Sequence, residues 1–287
     1  GISGLVGSRL AELQKDYEVY GTYNTHEVNK KNYFKLDTID REATFKLIER
    51  INPRYIIDTH AISNVDYCEL HPEEAWRVNV DGVRNVAEAS KKYAAKYVFF
   101  STDYVFDGRK FNYTEKDKPM PLNYYAKTKL AAEYMLSALD INHITIRTAV
   151  IYGSSGMNKV SFPLWAINKL KGGENVKVVA DQYNKPTLAD NLIDFMMRLC
   201  KKDETGIFHV TGSELINRYD FARLVAKTFG FDENKISAIT SAELNQIARR
   251  PESVNLSTEK AERVTKIKPI GVKEGLKILR EQIGDIK

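Results

Sequence analysis

Residues 97–103 are Tyr-Val-Phe-Phe-Ser-Thr-Asp, and the first four of them are apolar whichever face of an extended chain they occupy. Strands of this kind belong in the middle of a parallel sheet that helices cover on both faces. On either side of this run, short apolar stretches alternate with longer segments of helical period, which is typical of crossover connections. The sequence therefore predicts an α/β fold with a doubly wound parallel sheet.

The alternation predicts the position of the main elements. The predicted strands are Val19–Tyr23, Tyr55–Thr59, Tyr97–Thr102, Ile144–Thr148, Val176–Ala180 and Phe208–Thr211. The predicted helices are Ser8–Lys15, Arg41–Ile51, Pro72–Tyr93, Tyr125–Leu139, Leu188–Lys201 and Arg218–Phe229.

Composition excludes several classes of protein. The 287 residues are 43% hydrophobic and 28% charged, with a mean hydropathy of -0.40, which is typical of a globular chain rather than a disordered or fibrous one. No apolar stretch approaches the roughly 20 residues of a membrane helix, and no targeting peptide is evident, so we expect a cytoplasmic protein without a membrane partner. The net charge of +5 is scattered, so no nucleic-acid partner is expected. Two cysteines and five histidines without ligand spacing predict no metal site.

The chain opens on a glycine-rich turn, Gly1-Ile2-Ser3-Gly4-Leu5-Val6-Gly7, directly before a predicted helix. Glycines at this spacing permit a tight turn whose free N–H groups bind a pyrophosphate, although such a turn also occurs without a ligand. A turn of this type ordinarily follows a strand, so we expect the natural chain to begin several residues before Gly1. We interpret residues 1–153 as a Rossmann domain. Residues 154–287 are then a smaller substrate-binding domain, with segments near 176–211 returning to the Rossmann sheet.

The predicted strand that ends at Tyr23 is followed by Asn24-Thr25-His26 and then by Lys30 and Lys31. An Asp or Glu at this place would bind the adenosine ribose and repel a 2′-phosphate. Because none of the three residues directly after the strand is a carboxylate, NADPH is the expected cofactor, and NADH is the alternative if these are ordinary loop residues.

Tyr125 and Lys129 are spaced so that both side chains lie on one face of a helix. The pair occurs by chance in chains of this composition, so its position carries the inference: it follows the strand that ends in Ser101-Thr102-Asp103. Both segments then reach the carboxyl edge of the sheet, where ligands of such folds bind. Reduction of a carbonyl needs a proton donor at the developing oxyanion, and a nearby ammonium lowers the pKa of a phenol. We therefore predict a carbonyl-reduction site with Thr102 orienting the substrate oxygen.

At these residues the chain resembles the extended short-chain dehydrogenase/reductases, and within them the dTDP-4-dehydrorhamnose reductase group. The pairing of STDYVFDG at 101–108 with PLNYYAKTK at 121–129 is specific for that group. The second of these stretches continues to Glu133, and the other matching stretches are residues 1–7, FKLD at 34–37, VDYCE at 65–69, Val78-Asn79, Arg147-Thr148, Asp181–Tyr183, Pro186-Thr187 and Arg249–Pro251. Sugar-nucleotide dehydratases have an acidic residue where this chain has Tyr104, which disfavours dehydration.

The resemblance implies site residues as well as an activity. The implied catalytic residues are Thr102, Tyr125 and Lys129. The expected NAD(P)-binding residues are Gly4, Leu5, Val6, Asp37, Thr38, His60, Ala61 and Ile62, beside Gly1 and Gly7 of the turn and the catalytic residues Tyr125 and Lys129. The implied substrate-binding residues are Thr102, Asp103 and Tyr125, while Asn79 supports the site or has a structural role. A nucleotide-sugar substrate and a homodimer are the expected partners.

Two departures from the family pattern bear on the substrate. The family has Arg-Thr-Ser-Trp, with the Trp against the sugar nucleotide, where this chain has Arg147-Thr148-Ala149-Val150. An Ala-rich cofactor segment of the family is replaced by Asp58-Thr59-His60-Ala61. We therefore expect an NAD(P)H-dependent reductase of a nucleotide-linked 4-keto-6-deoxysugar. The alternatives are a non-catalytic NADP-binding regulatory subunit like that of methionine adenosyltransferase, and a sugar-nucleotide epimerase.

Overall fold

The computed structural model describes residues 1–154 and 160–284. Its strands in chain order are β1 (Gly21–Tyr23), β2 (Tyr33–Lys35), β3 (Tyr55–Asp58), β4 (Lys96–Thr102), β5 (His143–Thr148), β6 (Ile151–Tyr152), β7 (Val176–Val179), β8 (Tyr183–Asn184), β9 (Thr187–Leu188), β10 (Gly206–His209), β11 (Ile216–Asn217) and β12 (Ile236–Ile239). Its α-helices are α1 (Leu5–Leu13), α2 (Arg41–Ile51), α3 (Val65–Leu70), α4 (Pro72–Trp76), α5 (Val83–Lys92), α6 (Tyr124–Ala138), α7 (Phe162–Lys171), α8 (Ala189–Lys201), α9 (Arg218–Phe229), α10 (Glu259–Thr265) and α11 (Val272–Ile283). A π-helix, Arg77–Gly82, joins α4 to α5.

The largest sheet is parallel, with strand order β10-β5-β4-β3. Alternate residues of β4 pack on opposite faces, because Val98 joins the core beneath α1 and α8 whereas Tyr97 and Phe99 join the core with α2, α5 and α6. Each of these three residues is at most 1% exposed. Burial of both faces explains the apolar run in the sequence, and the predicted α/β fold with a doubly wound parallel sheet is confirmed.

Strands β1 and β2 pair with each other in a separate parallel sheet. A cavity of about 400 Å³ lies beside this pair, and β1 and β3 contribute residues to its wall. That a further strand precedes Gly1 stays a prediction.

Two predicted helices differ from the structure for identifiable reasons. Helix α1 begins at Leu5 rather than Ser8, because Gly4 takes the extended conformation that precedes a helix. The predicted helix Pro72–Tyr93 is divided, since a π-helical segment with wider turns lies between α4 and α5.

The segment after β6 divides between two packing units. Helices α7, α9 and α11 pack together in an apolar cluster centred on Phe221, and β7 pairs in parallel with β12. This pairing corrects the expectation that 176–179 returns to the Rossmann sheet, whereas β10 does pair with β5. The division into domains at 153/154 stays a prediction, and residues 155–159 and 285–287 of the second domain lie outside the described residues.

Within the described part of the chain, no helix combines the length and the apolar character that crossing a membrane requires. The same residues contain no group of three or more His, Cys, Asp or Glu side chains placed to hold a metal ion.

Candidate active site

A cavity of about 1030 Å³ opens at the carboxyl edge of the parallel sheet. The glycine turn and the ends of β1 and β3 form one half of its wall, which we call the cofactor half after the role predicted for the turn. The end of β4, helix α6 and the starts of α7 and α9 form the other half, which we call the reaction half. The predicted residues that line it are Gly1, Gly4, Leu5, Val6, Asp37, Thr38, His60, Ala61, Ile62, Thr102, Asp103, Tyr125 and Lys129. The fold thus brings predicted site residues that are distant in the sequence, from Gly1 to Lys129, to one cavity.

The glycine turn has the geometry of an anion cradle. Gly4 precedes α1 and no side chain caps the first turn of this helix, so its N–H groups remain available. A Cβ atom on Gly1 would lie 2.8 Å from the Thr59 hydroxyl oxygen, so the turn has no room for a side chain. Gly7 lies behind the turn, where its Cβ would be 2.3 Å from the Gly1 carbonyl oxygen, and it does not line the cavity. A glycine at position 7 therefore allows α1 to pack closely against the backbone of the turn.

The loop after β2 is held by its own hydrogen bonds. The Asp37 carboxylate accepts from Ile39 N at 3.1 Å, and Asn85 of α5 donates to the Thr38 carbonyl at 2.9 Å. These bonds fix the segment that lines the cavity next to β1. The uncapped helix, the crowded glycine turn and this fixed loop fit a dinucleotide, with its pyrophosphate at the start of α1.

His60 lines the cavity, but its ring is engaged by the protein. Its Nδ1 contacts the Asp58 carboxylate, which also accepts from the Tyr97 hydroxyl, and its Nε2 lies 3.1 Å from the Val78 carbonyl oxygen. Burial raises the pKa of Asp58, but His60 and Tyr97 outweigh it and lower the pKa to about 2. The side chain of His60 therefore joins β3 to the π-helix.

The π-helix places Asn79 beneath the cofactor half. This fully buried amide accepts from Ile62 N at 2.9 Å and donates to Ile62 O at 3.0 Å and to Thr128 Oγ1 at 3.1 Å. The Cys68 thiol also donates to Ile62 O, at 3.3 Å. Asn79 thereby connects the loop at Ala61-Ile62 to the helix that carries Tyr125 and Lys129.

Thr102 ends β4 and faces α6. Its hydroxyl donates to Asp103 Oδ1 at 3.1 Å and accepts from Tyr104 N at 3.2 Å, and it lies close enough to Tyr125 to lower the pKa of that phenol. Helix α6 is capped by Asn123, whose side chain accepts from Ala126 N at 2.9 Å. The cap fixes the first turn of α6 and with it the position of Tyr125.

The charges around the phenol differ in part from expectation. Burial lowers the pKa of Lys129 to about 8, and the carboxylates of Asp58 and Glu133 limit the fall. Burial, and after it the Asp103 carboxylate, raises the pKa of Tyr125 above its ordinary value, which is opposite to the expected direction. The ammonium lies 4.0 Å from the centre of the Phe99 ring. Desolvation is therefore the main effect on the phenol, and a positive charge beside the ring would act in the opposite direction.

Below α6, a buried ion pair ties the helix to the sheet. Arg147 of β5 donates to the Glu133 carboxylate of α6 through Nη2 at 2.6 Å and through Nε at 3.0 Å, and both side chains are 3% exposed. The Ser101 hydroxyl donates to the same carboxylate. The matching stretches at 101–108, 121–133 and 147–148 thus meet in one polar network beneath the Tyr125 and Lys129 side chains.

Two polar atoms in the reaction half of the cavity have no hydrogen-bond partner among the described residues. These are Asp103 Oδ2 and Thr148 Oγ1, whose residues are 3% and 5% exposed and line the cavity. Burial raises the pKa of Asp103 to about 7. Buried polar atoms are ordinarily bonded, so both atoms indicate where polar groups of a ligand lie.

The sequence pattern gave no sign of several residues in this half. Ser161, Phe162 and Arg218 line the cavity together with Asp103. Phe162 and Arg218 are the first residues of α7 and α9, and they come from a part of the chain where the alternation of strands and helices is weak.

The sheet, the glycine turn and the Thr102, Tyr125 and Lys129 side chains in one cavity define an extended short-chain dehydrogenase/reductase, a class of nicotinamide-dependent oxidoreductases. A sequence profile for the family described as the RmlD substrate binding domain matches residues 1–283, and the chain belongs to this family.

Three similar proteins cover most of the chain. It is 32% identical to the dTDP-4-dehydrorhamnose reductase of Aggregatibacter actinomycetemcomitans, over 98% of this chain and 96% of that protein. The crystal structure of a dTDP-4-dehydrorhamnose reductase from Bacillus anthracis in complex with NADP superposes with a TM-score of 0.89 at 27% identity, covering 98% of this chain and 97% of that one. The chain is also 27% identical to methionine adenosyltransferase 2 subunit beta of Rattus norvegicus, over 96% of this chain and 85% of that protein.

Proposed function

We propose that the protein reduces the ketone of a nucleotide-linked 4-keto-6-deoxysugar with NADPH, as a dTDP-4-dehydrorhamnose reductase does. The observation that carries the proposal is that Thr102, Tyr125 and Lys129 line the same cavity as the uncapped start of α1. The 32% identity to a protein of that name over nearly the full length supports the substrate class.

Bound at the glycine turn, NADPH would supply a hydride to the carbonyl carbon of the sugar. The Tyr125 hydroxyl donates its proton to the carbonyl oxygen as negative charge develops there. The Lys129 ammonium stabilises the phenolate that remains, and the Thr102 hydroxyl donates a hydrogen bond to the same oxygen. The raised pKa of Tyr125 keeps the phenol protonated in the ground state, so that the proton is present when the reaction begins.

NADPH is favoured over NADH by the residues after β1. Asn24 and Thr25 line the cavity there, and the first carboxylate to line the wall, Asp37, lies after β2. A 2′-phosphate at the end of β1 would therefore meet amide and hydroxyl groups. Titration of the protein with NADPH and NADH tests this preference, and tighter binding of NADH would contradict it.

The activity is tested with purified protein, NADPH and a panel of nucleotide-linked 4-keto-6-deoxysugars that includes dTDP-4-dehydrorhamnose. We expect one NADPH to be oxidised for each sugar reduced. Conversion of a sugar nucleotide without net NADPH oxidation would instead identify an epimerase.

A regulatory role is the second candidate, because of the similarity to methionine adenosyltransferase 2 subunit beta. The two functions differ in outcome: a regulatory subunit would leave every sugar of the panel unchanged and would alter the kinetics of an added methionine adenosyltransferase. The cytoplasmic location and the homodimer stay predictions, and sedimentation analysis of the purified chain tests the latter.

A further inference from the structure

A basic side chain in the wall of the reaction half takes no part in the proposed reaction. Arg218, at the start of α9, lines the cavity with Thr102, Asp103 and Tyr125. Its guanidinium carbon lies 5.2 Å from the centre of the Phe162 ring, and Phe162 itself stacks on Phe221 at 5.4 Å between centroids. An aromatic residue that is itself packed against the core therefore supports the half-buried guanidinium.

Arg218 has no carboxylate within ion-pair distance among the described residues. Arg218 lowers the pKa of the wall residue Asp103 against the larger effect of burial, yet the two form no ion pair, and the guanidinium instead lies close to the neutral Tyr104 hydroxyl. A partly buried cation without such a partner, facing a cavity, favours an anionic ligand. The unpartnered Asp103 Oδ2 and Thr148 Oγ1 lie on the same side of the cavity and offer bonds to neighbouring hydroxyl groups.

The same wall contains the residue that replaces the aromatic platform of the family pattern. Val150 lines the cavity with a backbone φ of 36°, a conformation that is strained for a β-branched residue. Val150 supplies no aromatic ring to this wall. Phe162, which lies on a different element, places an aromatic ring there instead.

We propose that Arg218, held on the Phe162 ring, binds the diphosphate of the nucleotide sugar and makes the enzyme specific for substrates that carry this anion. The inference rests on the proposed function for the identity of the sugar, but the diphosphate contact itself does not require turnover. Guanidinium groups bind phosphate through charge-assisted hydrogen bonds, and loss of one weakens binding by roughly 10- to 100-fold.

The test uses the NADPH-bound protein and two probes, dTDP and thymidine, which differ only in the diphosphate. Arg218→Gln should weaken the affinity for dTDP about 10- to 100-fold and leave that for thymidine unchanged, while Arg218→Lys should recover part of the loss. The matched control is Arg223→Gln, because Arg223 lies on the same helix, lies near the Tyr219 ring and pairs with Glu233 on the surface. This control should bind both probes like the unaltered protein.

Three outcomes would overturn the inference. They are dTDP affinity within twofold of the unaltered protein in Arg218→Gln, equal losses for dTDP and thymidine, and failure of the unaltered protein to bind dTDP, UDP or GDP. Each of these leaves NADPH oxidation with the sugar panel as a separate test of the proposed function. With a reducible sugar, Arg218→Gln should raise KM about 10- to 100-fold and change kcat only a few-fold, since Arg218 does not contact the reacting oxygen.

Discussion

Lys129 holds its ammonium group in a place that is almost free of water, since only 2% of the residue is exposed. Burial is the main reason that its pKa falls to about 8, and two carboxylates, those of Asp58 and Glu133, prevent a further fall. The ammonium is thus present at neutral pH but is lost in a range that kinetic measurements can reach. In the proposed reaction, its charge is needed when the phenolate of Tyr125 forms.

We therefore expect kcat/KM to decline as the pH rises through about 8, because the neutral amine no longer stabilises the phenolate. The measurement is the rate of NADPH oxidation between pH 6 and 10 at low substrate concentration. Lys129→Arg is the control: a guanidinium stays charged throughout this range, so the decline near pH 8 should disappear even if the rate is lower. A wild-type rate that remains level to pH 10 would contradict this role for Lys129.

At the scale of elements, the π-helix Arg77–Gly82 connects the cofactor half of the cavity to the reaction half. Its Asn79 bonds both to the backbone of Ile62 and to Thr128 of α6, while its Val78 carbonyl lies against the ring of His60. The wider turn of a π-helix frequently marks a functional site. Here its consequence is that one amide fixes the spacing between the loop at Ala61-Ile62 and the catalytic helix.

Asn79→Ala should lower the free energy of unfolding by about 2–4 kcal/mol, because the Ile62 backbone groups lose their partner. The affinity for NADPH should fall as well, since the loop that lines the cavity is released. Thr128→Val is the matched control: it removes the bonds of the Thr128 hydroxyl to Asn79 and to the Tyr125 carbonyl but keeps both bonds of Asn79 to Ile62, so it should leave NADPH binding nearly unchanged. Denaturant unfolding and NADPH titration of both variants provide the data. Unchanged NADPH affinity in Asn79→Ala would show that the amide has no part in holding the loop.

At the scale of the whole molecule, contacts between distant segments enclose the site. Arg250 makes a bidentate ion pair with Asp66 at 2.6 and 2.8 Å, and Asn123 donates to the Arg249 carbonyl at 2.9 Å. The VDYCE and Arg-Arg-Pro motifs, which lie 180 residues apart in the sequence, therefore contact each other beside α6. A further buried group, His209 of β10, lies 3.5 Å from Arg147 on the other side.

His209 makes the fold sensitive to acid. Burial, and then the charge of Arg147, lowers the pKa of His209 from 6.5 to about 3. Between these values the unfolded chain binds a proton that the folded chain does not, so this group's contribution to stability is lost as the pH falls below about 6.5. Asp103, with a pKa of about 7, acts in the opposite direction in the same range, so a difference between two chains is needed.

We expect the stability of the wild type relative to His209→Gln to fall by about 2 kcal/mol when the pH is changed from 7 to 5. The measurement is urea unfolding of both chains at the two pH values, with the Asp103 contribution common to both. A difference that does not change with pH would show that His209 titrates alike in the folded and unfolded chains.

The sequence predicted the features that depend on local pattern and on motifs. Strands buried on both faces, such as β4, have a distinctive apolar run, and Tyr125 and Lys129 keep their helical spacing in the structure. Arg218 and Phe162 were missed because each begins a helix of the second unit and only tertiary packing brings them to the cavity. The direction of the Tyr125 pKa shift was wrong because burial, which depends on the whole fold, is the largest effect on this phenol.

The most direct test compares Tyr125→Phe with Tyr124→Phe, its neighbour on the same helix, by the rate of NADPH oxidation with a 4-keto-6-deoxysugar nucleotide. If Tyr125 donates the proton, its variant should lose about 10²- to 10⁴-fold in kcat with NADPH affinity retained, and the Tyr124 variant should stay within a few-fold of wild type. Turnover of Tyr125→Phe within a few-fold of wild type would contradict the account.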